Sequence, residues 1–276
     1  MIYQNISAKI IKNIITLIIV AVFSFAPAVQ ADGTTLYVSG QMDWKPFLLK
    51  DKTGQPYGLM YDILSEAARR NGYKLQFREF PWKRAIMSLE RGKLDIMCGI
   101  FWNKSRASTM LFSPPILRNQ LHIFACKPFK LERLIDLEGK KGDKMRGGSY
   151  GEIFDNFVHS GKGTFTEVTD DQTAINRLVR GYSDFFIGTY IDTVFKIKSQ
   201  GLEEKVIVLP YVVDTVNVYF SYPKNSKKKN CYVQLNNTLA EMQANGKIAE
   251  MIKTYFHDTD IDPQKVICKP VEMRGH

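Results

Sequence analysis

Apolar positions in this chain fall into two alternating rhythms. Short apolar or β-branched runs predict strands at 36–39, 74–80 and 94–99. Apolar residues spaced three and four apart predict helices at 60–70 and 82–91. Asn71-Gly72 closes the first helix, because glycine adopts the left-handed conformation cheaply. The second half repeats the scheme, with strands near 144–145 and at 165–168 and 206–209, and helices at 151–158 and 192–200. A further helix is predicted after Thr169, where Thr169-Asp170-Asp171-Gln172 has the spacing of a capping box. Alternation on this scale predicts an α/β architecture with mainly parallel sheets flanked by helices. Two extended stretches, 121–125 and 216–222, border the second block and are expected to be hinge strands. The closing helices, 231–245 and 247–256, are expected to return to the first block.

An internal repeat sharpens this into two lobes. Residues 85–99 read AIMSLERGKLDIMCG and residues 174–188 read AINRLVRGYSDFFIG. Both fit A-I-x-x-L-x-R-G-x-x-D-x-x-x-G, a helix ended by glycine, a short turn and a buried strand. The expected division is 32–124 plus 219–276 for lobe one and 125–218 for lobe two.

The first residues set the compartment. Lys9 and Lys12 precede an apolar run at 14–25, followed by Pro27 and the small-residue exit Ala28-Val29-Gln30-Ala31. This reads as a signal peptide, residues 1–31, because the run is shorter than the ~20 residues a spanning helix needs. No later segment is apolar enough for long enough to cross a bilayer. The formal net charge is +10. In an exported protein that balance points to anionic solutes or surfaces, and no nucleic-acid partner is expected. Lys227-Lys228-Lys229 reads as a solvated turn. The four cysteines match no metal-ligand spacing. Cys98 and Cys126 read as buried thiols, while Cys231 and Cys268 are the best candidates for a disulfide.

Several short motifs, taken in order, resemble the extracellular solute-binding proteins of amino-acid-type ABC importers (family 3). Asp43-Trp44-Lys45-Pro46-Phe47 is similar to the family's aromatic-x-Pro-Phe loop. Gly54-Gln55-Pro56-Tyr57-Gly58 with Tyr61-Asp62 resembles its entry into the first helix. Asn103-Lys104-Ser105-Arg106 and Phe112-Ser113-Pro114-Pro115 resemble T-x-x-R followed by F-S-x-P. Leu137-Glu138-Gly139-Lys140-Lys141 and Ala240-Glu241-Met242-Gln243-Ala244-Asn245-Gly246 match the expected lobe-two opening and ending. The likeness covers residues 35–257. Pro81-Trp82-Lys83-Arg84-Ala85 places the chain near a divergent branch of that family.

The resemblance implies a two-lobed periplasmic-binding-protein fold joined by two hinge strands. It also implies a monomer in the periplasm that hands a small solute to the membrane permease of an ABC importer. No cofactor, metal or catalytic residue is implied. The family's matching arginine binds a carboxylate, which makes Arg106 the first candidate, since a guanidinium offers a planar fork of donors. Trp44 and Trp82 are candidate walls. In lobe two, Gly147-Gly148-Ser149-Tyr150-Gly151 precedes a helix, where backbone N–H groups can face an anion; Gly148, Ser149 and Tyr150 are the candidates. Thr169 is expected to face the gap, and Arg146 is a weaker choice. Amino-acid binders of the family carry an acid where this chain has Thr189. Asp192, the nearest acid, lies further into the next helix and is expected to point elsewhere. That argues against a standard α-amino acid and leaves the ammonium end of such a ligand unassigned.

Three other readings share these residues. Gly147 to Gly151 fits G-x-S-x-G, so Ser149 is a candidate nucleophile if a histidine reaches it. A dehydratase on the same fold would need cleft acids, for which Glu152 and Asp192 are the nearest choices. A ligand-sensing subunit of a membrane receptor would share all the binding features.

Overall fold

A computed structural model describes residues 34–268. The expected signal peptide at 1–31 lies outside the described residues. Among these, no helix is long and apolar enough to cross a membrane.

In the first lobe, β1 (Thr35–Ser39) lies between β4 (Lys74–Phe77) and β5 (Ile96–Phe101), parallel to both. A small hairpin, β2 (Leu49–Lys50) with β3 (Pro56–Tyr57), precedes α1 (Leu59–Arg70). α2 (Trp82–Glu90) connects β4 to β5. In the second lobe, β8 (Lys141–Met145) lies between β9 (Thr164–Val168) and β10 (Phe185–Thr189), again parallel to both. Its helices are α4 (Gly151–His159), α5 (Asp171–Val179) and α6 (Tyr190–Ser199), while the short α3 (Lys104–Thr109) and β6 (Met110–Phe112) follow β5.

Two long strands join the lobes. β7 (Leu117–Ala125) and β11 (Ile207–Pro223) pair antiparallel with each other; β11 also pairs with β5, and β7 with β10. The result is a continuous mixed sheet in the order β4-β1-β5-β11-β7-β10-β8-β9. The predicted strand at 206–209 is therefore the start of β11, which runs on through register shifts near Val212. The hinge stretches at 121–125 and 216–222 are parts of these two longer strands. The strand predicted at 74–80 stops at Phe77, four residues before Pro81, which N-caps α2. α7 (Lys229–Ala244) and α8 (Lys247–Phe256) return to lobe one, where Leu235, Leu239, Met242, Ile252 and Phe256 join the core around β1 and α1.

The repeat has one physical job in both lobes. Ala85 and Leu89 on α2, and Ala174, Ile175 and Leu178 on α5, are buried against the sheet. Gly92 and Gly181 then take positive φ, 68° and 75°. The aspartate that follows pins the turn to the neighbouring strand. Asp95 Oδ2 accepts from Tyr37 N at 2.8 Å, and Asp184 Oδ2 accepts from Lys141 N at 2.7 Å. In each case the aspartate's own N–H donates back to the carbonyl of the same residue.

Some local expectations change. The cap of α5 is Asp170, whose side chain accepts from Thr173 N at 2.7 Å; Thr169 merely donates to Asp170. Lys228 is no solvated turn residue. Its ammonium reaches Asp95 at 2.8 Å and the Thr35 carbonyl at 2.9 Å, which fastens the start of α7 to the first repeat. The structure places no disulfide among the four cysteines. Cys98 is buried and Cys126 partly so, while Cys231 lies beside the Tyr73 hydroxyl and Cys268 beside Asn217 on β11. The expected Cys231–Cys268 bridge is therefore not formed: the two thiols have different neighbours.

Candidate functional site

Both repeats end where the lobes face one another. Their last glycines, Gly99 on β5 and Gly188 on β10, line one cleft whose enclosed volume is about 50 Å³. Sites for small molecules form beyond the carboxyl ends of parallel strands, where this cleft lies. Gly99 has a φ of +90°, and a Cβ there would fall 2.4 Å from Trp44 Cζ3. Glycine thus lets the indole lie directly on the strand. Trp44 lines the cleft as expected of a wall, and it also joins the lobe-one core, 4.5 Å from Phe47 between ring centroids.

Arg106 sits on α3, which the sequence reading missed because a six-residue helix has too few turns to show a period. Asn103 caps this helix by accepting from the Arg106 N–H itself at 2.8 Å. Arg106 is only 7% exposed. It donates to the Phe101 carbonyl at 2.7 Å in its own lobe and to the Gly147 carbonyl at 3.2 Å in the other. Burial pulls its pKa down to about 10, against the opposing charges of Asp155 and Glu90, so it stays a cation at neutral pH. Trp82 begins α2, its ring 5.9 Å from the guanidinium, and its Nε1 also donates to Gly147 O, at 3.3 Å.

The glycine loop of lobe two lines the cleft through Gly148, Ser149 and Tyr150, but it is no open anion cradle. Gly148 N donates to Met145 O at 2.9 Å, and Tyr150 N to Asp155 Oδ1 at 2.9 Å. Ser149 Oγ donates to Asp155 Oδ2 at 2.6 Å. A carboxylate from α4 has taken the place of the expected anion. Tyr150 is buried, and its hydroxyl accepts from Met145 N at 2.9 Å. Thr169 is exposed and lines an outer groove with Arg78, Lys83 and Arg84, so it leaves the candidate set. Arg146 is exposed and pairs with Glu167 at 3.7 Å.

Thr189 is buried at the end of β10 and does line the cleft. Its hydroxyl donates to Asp192 Oδ1. Asp192 was expected to point elsewhere, yet it lines the same cleft, since the third residue of α6 folds back over the strand end. Asp171, the first residue of α5, lines it too. Asp171 Oδ2 accepts from Gln41 Nε2 at 3.3 Å across the lobes and from Lys196 Nζ at 3.4 Å within lobe two. Asp192 is fully buried, and its Oδ2 has no hydrogen-bond partner. Burial, then the charge of Asp171, raises the Asp192 pKa, while Lys196 opposes the rise. Burial pulls Lys196 down, but Asp171 and Asp192 outweigh it and its pKa ends raised.

Comparison with known proteins decides the family. The model of the bacterial extracellular solute-binding proteins, family 3, matches residues 36–258. The chain belongs to that family. The Vibrio harveyi protein PatH, whose name gives it a proposed role as an amino-acid ABC transporter-binding protein, is 24% identical over 247 residues. The match covers 89% of this chain and 97% of PatH. A structure concerning glutathione import via GshT and the cystine ABC importer TcyBC of Streptococcus mutans superposes with a TM-score of 0.74. It is 20% identical, with 87% of this chain and 100% of that one covered. A histidine kinase sensor domain similar to periplasmic binding proteins gives a TM-score of 0.73 at 20% identity, covering 81% and 96%. These likenesses establish the two-domain fold.

In this solute-binding protein the G-x-S-x-G match is a structural loop. Ser149 spends its proton on Asp155, so a carboxylate holds the position a histidine base would need. The residues that sequence reasoning missed in the cleft are Gln41, Asp171 and Asp192, together with Gly99, Ile100, Phe101 and Gly188. The paired glycines carried a signal, as the last positions of the repeat. Gln41 and Asp171 carried none, because each is placed by the loop or cap before it.

Proposed function

We propose that this protein is a periplasmic binding protein that encloses a small polar, carboxylate-bearing solute between its lobes. It then presents the closed form to the membrane permease of an ABC importer. The lobes divide as 32–124 with 219–276, and 125–218. The observation that carries the reading is the state of Arg106. A buried cation lines the cleft while its hydrogen bonds go to neutral carbonyls, one from each lobe. A carboxylate is the stronger acceptor, so a bound solute would take over the guanidinium contact that Gly147 now holds.

Mechanism follows from the hinge. β7 and β11 run continuously through both lobes, so rotation about them opens the cleft while each lobe keeps its own strand pairings. A solute touching both lobes favours the closed form in proportion to its differential affinity for the two states. Trp82 gives the Pro-Trp-x-Arg-Ala segment of the divergent branch a role, because it covers the guanidinium from the start of α2. A thermal-shift screen of amino acids, organic acids, amines and short peptides tests the reading. A carboxylate-bearing solute at one hundred times its Kd should stabilise the protein by about 2.7 kcal/mol. Stabilisation by carboxylate-free amines alone would refute it.

A further inference from the structure

The structure assigns the cationic end of the solute to a relocated acidic subsite: Asp171 at the start of α5 and Asp192 at the start of α6 receive an amine or guanidinium. The inference rests on the Arg106 reading for the other end of the solute. Thr189 occupies the end of β10, where no charge is available. The two acids approach the same space from the two helices that flank that strand.

Three observations point to a ligand cation. The charged side chains lining the cleft are Arg106, Asp171 and Asp192. Behind them Lys196 satisfies one acid, through Asp171 at 3.4 Å, and leaves one formal negative charge unmatched. The unmatched group is identifiable. Asp192 is fully buried, Thr189 and Asn119 hold its Oδ1, and its Oδ2 has no partner. An unpaired buried carboxylate oxygen is costly, and a cationic donor from the solute would relieve that cost. Finally, Asp171 is held by Gln41 from the other lobe, so the subsite is complete only when the lobes are together. Arg106 and this pair therefore select a zwitterion. A solute with only a carboxylate leaves Asp192 unsatisfied, and one with only an amine leaves Arg106 on its carbonyls.

The groups facing Asp192 are Asp171 on α5, Lys196 and its own helix start on α6, Thr189 on β10, Asn119 on β7 and the Tyr150 ring from the glycine loop. Lys196 is the one cation among them. A ligand cation would add a second, so binding near neutral pH should drive a proton off Asp192.

The test uses the twenty amino acids and cystine, each paired with the acid in which hydrogen replaces the amine. Titration calorimetry is run on the wild type, Asp171→Asn, Asp192→Asn and Arg106→Ala, in two buffers of different ionisation enthalpy. At least one zwitterion is expected to bind, its deaminated partner at least tenfold more weakly. Each Asn variant should lose at least tenfold, and wild-type binding should release a fraction of a proton that Asp192→Asn does not. Wild-type proton release reports on Asp192 even if that variant folds poorly. Equal binding of deaminated acids, with affinity kept in both Asn variants, overturns the subsite and leaves Arg106 standing. Affinity kept in Arg106→Ala overturns the carboxylate reading instead. Silence from the whole panel retires both.

Discussion

Replacing Asp192 with Asn should make the solute-free protein more stable near neutral pH and leave it unchanged in acid. Asp192 has its pKa raised from 3.8 to about 7 by burial and by Asp171. A raised carboxyl means that the native state holds a proton the unfolded chain has released, between about pH 4 and pH 7. Stability therefore falls as pH rises through that window, because the native state binds more protons there. Each pH unit is worth about 1.4 kcal/mol, so the full window costs at most about 4 kcal/mol. Asn is neutral throughout and nearly the same shape, so its stability carries no such slope. Carboxyls held low by their partners, such as Glu66 beside Arg69 and Arg70, act the opposite way: their stabilisation is present above their unfolded values and is lost in acid. They are common to both proteins and cancel in the difference. Urea melts of the two proteins at pH 4, 5, 6 and 7 give that difference directly. The curves should converge at pH 4 and separate by up to ~4 kcal/mol at pH 7. Parallel curves would refute the raised pKa and, with it, the cost ascribed to the unpaired oxygen.

Gly99→Ala should destabilise the protein by about 1–3 kcal/mol, since the new methyl meets the Trp44 ring at 2.4 Å from a positive-φ backbone. A thermal melt within a degree of wild type would show that the indole is not packed on β5. Denatured without reductant, the protein should titrate as four thiols, since no disulfide joins them. Cys98, fully buried with its pKa pushed up by desolvation, should stay unreactive until unfolding. A mass two hydrogens lighter than the fully reduced chain would instead reveal a bridge.

The alternation of strands and helices was legible because each element is periodic, whereas the strand order was not. Each lobe's strand–helix–strand unit showed in the repeat, and Gly92 and Gly181 punctuated the helices as expected. The glycines that end the repeats also marked the cleft, although only the structure showed why: Gly99 leaves room for Trp44. Capping and ion pairing were misread where adjacent residues compete for one role. Thr169 and Asp170 are both good caps, and the side-chain bond to Thr173 N decides for Asp170. Lys228 looked like its neighbours in a lysine run, yet only it lies within reach of Asp95. Asp192 was expected to point away because it lies inside the next helix, yet as the third residue of α6 it is still in the first turn, beside the end of β10. The glycine loop was read as open to anions because sequence does not reveal that Asp155, one turn along α4, folds back to cap it.

The central claim is that Arg106 anchors a carboxylate between the lobes. Its most direct test is titration of the wild type and Arg106→Ala with the solute that the thermal screen identifies. Truncating one partner of a buried, hydrogen-bonded charge pair costs about 2 kcal/mol or more, so affinity should fall at least roughly thirtyfold. The variant should still melt cooperatively, since both guanidinium hydrogen bonds go to carbonyls at the cleft wall. Unchanged affinity in a folded Arg106→Ala protein would contradict the account.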